Sequence, residues 1–203
     1  MDEMARVAPS KVPTDPTQRT EEVALGIDDA IVLLLGAPAR NRNPRRAGRL
    51  EGTTRLEKLI FLLERETSAA EWLTEDAGFE AYDLGPFSAK VYQAVDMLSA
   101  ADIIEVSTTT AKSLEDEWEC AYIIGSLSDP YVTRAFVLTD RGWRYYSALL
   151  KGFPREALSA LGEFKERFAD LPLRQLVRYV FQRYEDFTVR STKVEARCAT
   201  NLS

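Results

Sequence analysis

The stretch Y-D-L-G-P-F-S-A-K-V-Y-Q, residues 82–93, constrains this chain's fold more than any other. Proline has no backbone donor and turns the preceding residue away from the helical region, so Gly85-Pro86 cannot lie inside a helix. The pair is predicted to end an extended segment, F-E-A-Y-D-L, with Phe79 and either Tyr82 or Leu84 turned inward. Ser88 is then the predicted cap of the helix S-A-K-V-Y-Q-A-V-D-M-L-S-A-A-D-I-I. Val91, Val95, Met97 and Leu98 line its predicted buried side, near Tyr92 and Ala94. Phe87, just ahead of the cap, is placed to staple against Tyr92.

Helical patterning surrounds this element. I-D-D-A-I-V-L-L-L-G predicts a buried helix from Gly26 to Gly36 whose Asp28 and Asp29 suit the positive end of its dipole. R-L-E-K-L-I-F-L-L-E-R-E puts Leu56, Leu59, Ile60 and Leu63 on one face, widened by Phe61 and Leu62. Thr53 or Thr54 is its predicted cap, with Glu57 closing a capping box from Thr54. Trp72 and Leu73 are expected to close over that core. The stretch between the two helices holds five arginines, two prolines and two glycines and predicts a loop.

Downstream, I-I-E-V (103–106) and T-R-A-F-V-L-T (133–139) predict strands, separated by a polar stretch and the apolar C-A-Y-I-I-G-S-L. Thr139 or Asp140 caps a helix carrying Trp143, Tyr146, Leu149 and Leu150, stopped by Gly152 and Pro154. Two further helices follow, the last with Pro172 near its start. The order predicts a mainly α, α+β fold. It is a winged helix-turn-helix with a small β-hairpin wing, plus two C-terminal helices. Residues 1–24 are rich in Pro, Thr and charge and predict a disordered leader. Residues 25–152 are the predicted winged-helix-like domain and 153–203 a helical extension packed on it.

Composition excludes whole classes of chemistry. Among 203 residues there is no histidine, which removes Ser-His-Asp, Cys-His and His-metal sites together. The two cysteines, Cys120 and Cys198, form no metal spacing; one bridge is left open, and two reduced thiols in a cytoplasm are favoured. No P-loop, dinucleotide fingerprint or nucleophile elbow is present, and Glu64, Glu66, Asp83 and Asp140 stand singly or at caps. The expectation is a protein that is not an enzyme and holds no cofactor or metal. No apolar run approaches the roughly 18 residues of a membrane span, so no membrane partner is expected.

Four segments together resemble a known family. G-T-T-R-L-E-K-L-I-F-L-L-E (52–64), F-E-A-Y-D-L-G-P-F-S (79–88), L-S-A-A-D-I-I (98–104) and F-V-L-T-D-R-G (136–142) are similar to YwgA-like bacterial proteins. More distantly they resemble the Panacea (SocA-like) antitoxin domain. L-V-R-Y-V-F-Q-R-Y-E-D-F-T-V-R-S (176–191) looks like the ending of the same group. The resemblance spans roughly residues 52–191, and Gly-Pro-Phe-Ser is its most specific piece. The acidic insertion at 113–119 is longer than a short wing. The resemblance implies a winged-helix-like fold in phage-defence or toxin–antitoxin settings, without catalysis. It implies binding of a partner protein, a toxin or defence-complex subunit, or DNA binding as a transcriptional regulator.

The candidate contacts divide by charge. Arg40, Arg42, Arg45, Arg46 and Arg49, followed by Arg55 and Lys58, form a basic run in a chain of net charge -6 and are candidate contacts to DNA or RNA phosphates. Lys90 and Gln93 are the candidates on the third helix, whose exposed face is otherwise Ser88 and Asp96, a sparse set for reading bases. Glu115, Asp116, Glu117 and Trp118 are the candidate partner-binding residues, acids around an apolar anchor. Arg174, Arg178 and Arg183 interleave with aromatics near the C-terminus, where Leu173, Leu176, Val177, Val180 and Tyr184 keep a helical core period. That region is read as packing, with a homodimer interface as one form of it, and as a nucleic-acid surface with stacking rings in the second reading.

Overall fold

The computed structural model describes residues 25–38, 47–82, 85–110 and 132–187. It is a mixed α/β molecule with six α-helices among the described residues and two small antiparallel sheets. The helices are α1 Ile27–Gly36, α2 Thr53–Glu66, α3 Ala89–Ala100, α4 Asp140–Leu149, α5 Arg155–Phe168 and α6 Leu173–Arg183. The strands are β1 Arg49–Glu51, β2 Glu80–Tyr82, β3 Gly85–Phe87, β4 Ile104–Thr110 and β5 Val132–Leu138. One sheet runs β1-β5-β4 and the other β2-β3. The predicted leader, four of the five loop arginines, the acidic insertion, both cysteines and the apolar C-A-Y-I-I-G-S-L lie outside the described residues.

α1 is apolar nearly all round and is buried accordingly: Ile31, Val32 and Leu33 are 0% exposed. Its polar start is closed by Asp29, whose Oδ2 accepts from the Gly26 amide at 3.0 Å. Its other end is closed from a distance. Lys165 of α5, itself buried, donates from Nζ to the carbonyls of Leu35 and Ala37, each at 2.7 Å. Those carbonyls have no partner within the helix, and an ammonium suits the negative end of the dipole.

α2 buries the expected face, with Leu56, Leu59, Ile60, Phe61 and Leu62 all at 0%. Its start differs from the sequence reading. Gly52, not a threonine, is the cap, at φ 94°, and makes no side-chain hydrogen bond. Glycine adopts that backbone without a Cβ penalty, so the helix begins one residue earlier and Thr54 is swept into its buried first turn. Glu57 consequently closes no capping box; its carboxylate turns into the core.

β1 lies in what the sequence predicts as loop. Leu50 pairs with Phe136 of β5, which on its other side faces Val106 of β4. Gly85-Pro86 also does more than end an extended segment. It forms the first two residues of β3, and Ala81 pairs with Pro86 and Tyr82 with Gly85. Gly85 stands at φ 89°, and a Cβ there would come within 2.7 Å of the Phe181 ring of α6. The site admits only glycine, for backbone and for space.

Ser88 caps α3 as predicted, its Oγ accepting from the Val91 amide at 3.2 Å while donating to the Ala77 carbonyl. The Phe87 and Tyr92 rings lie 5.4 Å apart, the expected staple. Val91, Val95 and Leu98 are buried, but Met97 is 65% exposed, correcting its assignment to the buried face. Thr139 caps α4, accepting from the Gly142 amide at 2.9 Å. The interior of α5 and α6, including Phe164, Phe168, Leu176 and Val180, joins the same buried cluster as α1 and α2.

Candidate interaction surfaces

Two of the sequence-predicted cations are internal. Lys58 is 1% exposed, and its Nζ donates to the Pro86 carbonyl at 2.6 Å and to Glu57 Oε2 at 3.1 Å. Glu57 Oε1 in turn accepts from the Ser88 amide at 3.1 Å. This buried pair pins the β3–α3 junction to α2. An ammonium so enclosed does not reach a phosphate, and the expectation for Lys58 is corrected. Arg55 spans to the α5–α6 link, donating from Nη1 to the carbonyls of Ala169 (3.2 Å) and Leu171. Through Nη1 its guanidinium serves the chain's own carbonyls, and the side chain is half-buried.

The remaining described candidates stay near solvent. Arg49 Nε sits 3.1 Å from Glu51 Oε1. Lys90 Nζ donates to Glu75 at 3.1 Å and to the Asp76 carbonyl at 2.6 Å, and Gln93 is exposed. The outward face of α3 thus offers one cation already facing a carboxylate, with Asp96 and Met97 beside it. Arg40, Arg42, Arg45, Arg46, Glu115, Asp116, Glu117 and Trp118 lie outside the described residues.

Where α3 ends, the structure opens a groove of about 480 Å³. Met97, Leu98, Ala101 and Ile103 give it an apolar floor. Arg141, Arg144 and Tyr145 of α4 and Asp28 of α1 complete its lining. Tyr145 donates to Asp29 Oδ1, so the first turn of α1 and the middle of α4 are tied across the groove's base. Burial first, then that hydrogen bond to a carboxylate, holds the Tyr145 hydroxyl well above its ordinary range. Arg141 and Arg144 have no hydrogen-bond or ion-pair partner among the described residues. An apolar floor with idle guanidinia at its rim suits a partner surface carrying an apolar anchor and carboxylates. Sequence reasoning missed it because its walls come from three separated segments.

A second constellation gathers on Glu66, whose side chain is only 7% exposed. It accepts from Tyr179 Oη at 2.6 and 2.8 Å, from Tyr184 Oη at 3.2 Å and from Arg183 Nε at 2.9 Å, with Arg167 Nη1 at 3.6 Å. Burial and this carboxylate raise the titration of Tyr179 and Tyr184. These donors converge on one carboxylate, with Arg167 Nη2 also donating to Tyr179 Oη at 3.2 Å, so the cluster fastens α6 to α2 rather than offering a reactive group. Glu64 is held differently: burial raises its carboxyl, while its Oε1 accepts from the Ala77 amide at 2.8 Å. Asp140 stands in the first turn of α4, and Asp83 lies outside the described residues. Among the described residues no group of three or more acids or cysteines is placed to hold a metal ion. No helix among them is long and apolar enough to cross a membrane.

No protein-family model, curated protein or solved structure matches this chain.

Proposed function

We propose that this is a non-catalytic regulatory protein of the bacterial defence or toxin–antitoxin kind, working in the cytoplasm by binding a partner protein. The family resemblance of the Gly-Pro-Phe-Ser region supplies the setting. The observation that carries the binding reading is Met97. Met97, a large apolar side chain 65% exposed, lines the same groove as Arg141 and Arg144, which have no partner among the described residues; an apolar anchor beside such cations is what a protein partner buries. The decisive measurement is titration calorimetry of the full chain against the purified products of genes adjacent to its own. One of them is expected to bind, and Met97→Glu to weaken that binding at least tenfold with the melting temperature unchanged. Binding by none of them, or binding indifferent to Met97→Glu, overturns the reading.

The second reading is a winged-helix DNA-binding transcriptional regulator. What favours it is topology: three helices with β1 between the first two, then the β4–β5 hairpin after α3, edged by β1. Against it stands the composition of α3, the helix that position would send into the major groove. A sequence-selective duplex shift lost on Gln93→Ala would favour this reading over the first.

A further inference from the structure

α6 carries a surface that the groove does not explain. Its inner face is core: Leu173, Leu176, Val177 and Val180 are at most 4% exposed. Its outer face is Arg174, Gln175, Arg178 and Gln182, all exposed. The spacing i, i+1, i+4, i+8 places them in one stripe along the helix. No acid occurs between Pro172 and Tyr184. Asp170 before the helix and Glu185 after it each have contacts of their own. Arg174 and Arg178 have no hydrogen-bond or ion-pair partner among the described residues. Arg183 and Arg167, anchored on Glu66, leave their side chains 61% and 62% exposed beside the stripe.

We propose that this outer face of α6 binds the phosphate backbone of a nucleic-acid duplex. Three chemistries can meet an arginine stripe, and the side chains separate them. A membrane surface needs an apolar face to bury, and the apolar face of α6 is already on the core. A protein partner's carboxylates can pair with arginines, but the stripe offers no apolar or aromatic side chain to bury beside them. Single strands need exposed stacking rings, whereas Tyr179 and Phe181 are partly buried against the core. What the stripe supplies is fixed positive charge with amides interspersed, which is what backbone contacts use. In a chain of net charge -6 long-range attraction is weak, so the contact is local and independent of base sequence.

The test is fluorescence anisotropy of the full chain on a labelled duplex of about 20 base pairs, from about 50 to 200 mM salt. Two neutralised phosphates correspond to a log–log salt slope of about 1.8, so Arg174→Gln with Arg178→Gln should flatten the slope by about 2 units. A scrambled duplex should bind equally, and Arg174→Lys with Arg178→Lys should keep the slope, because a backbone contact needs the charge. The substitutions are exposed, and equal melting temperatures show that they leave the fold intact. Absence of duplex binding at about 50 mM salt overturns the proposal. So does an unchanged slope in the glutamine variant, loss of slope in the lysine variant, or loss only when Arg45 and Arg46 are neutralised. Met97→Glu leaves duplex binding unchanged, which separates this surface from the groove.

Discussion

Lys58 and Arg141 are both helical cations, yet they do opposite work. Lys58 sits in a first-half helix and points inward to Glu57 and the Pro86 carbonyl. Arg55 and Lys165 behave alike, donating to carbonyls at the ends of other elements. Arg141 and Arg144, on the amphipathic α4, reach no partner among the described residues, and neither do Arg174 and Arg178 on α6. Among the described residues, then, the cations nearest the basic run, Arg55 and Lys58, are engaged by the fold, and those without a partner stand on two later helices.

Breaking the internal set should cost stability first. Lys58→Met leaves the Glu57 carboxylate buried without its ammonium, and about 3–5 kcal/mol should be lost in urea unfolding. Adding Glu57→Gln should recover most of that loss, since replacing both members of a buried pair is far milder than stranding one. A smaller effect is expected at the α6 fastening. Glu66→Ala removes the shared acceptor of Tyr179 and Tyr184, at about 2–3 kcal/mol, with amide exchange rising in α6 before the rest of the molecule.

Tyr145→Phe comes next, at about 1–2 kcal/mol at neutral pH through the lost hydrogen bond to Asp29. Its pH dependence has a definite sign. The folded Tyr145 titrates above its ordinary value of 10.0, so the unfolded chain releases that proton first. Its stabilisation is intact below pH 10 and is lost as pH rises toward the folded value. Tyr145→Phe should therefore flatten the alkaline fall in stability. The smallest change in stability belongs to the groove. Met97→Glu and Arg141→Gln should stay within about 0.5 kcal/mol of the parent chain, which would sharpen the contrast with Lys58.

The parts of this fold legible in sequence are those fixed by local spacing. The α2 face, the Ser88 and Thr139 caps and the Phe87–Tyr92 staple depend on residues three to seven positions apart. β1 was not legible, because three residues become a strand only when β5 arrives beside them. Gly52 displaced the threonine cap because its φ of 94° suits a glycine and the sequence does not announce which backbone it will take. Met97 was misassigned because apolar character was taken for burial, and its neighbours across the groove come from α1 and α4. The Glu66 cluster was invisible for the same reason: its tyrosine donors lie 113 and 118 positions away in sequence.

The contact of Phe181 with Gly85 also has a consequence in time. The residue that wedges β3 in place is made almost a hundred positions after it, and the carbonyls that receive Arg55 are made nearly as late. A ribosome extruding this chain releases α2, β3 and α3 long before their last supports exist. The helix that shapes the start of α3 is the last one described, and until it emerges the first half of the protein has a surface that only its own second half can close.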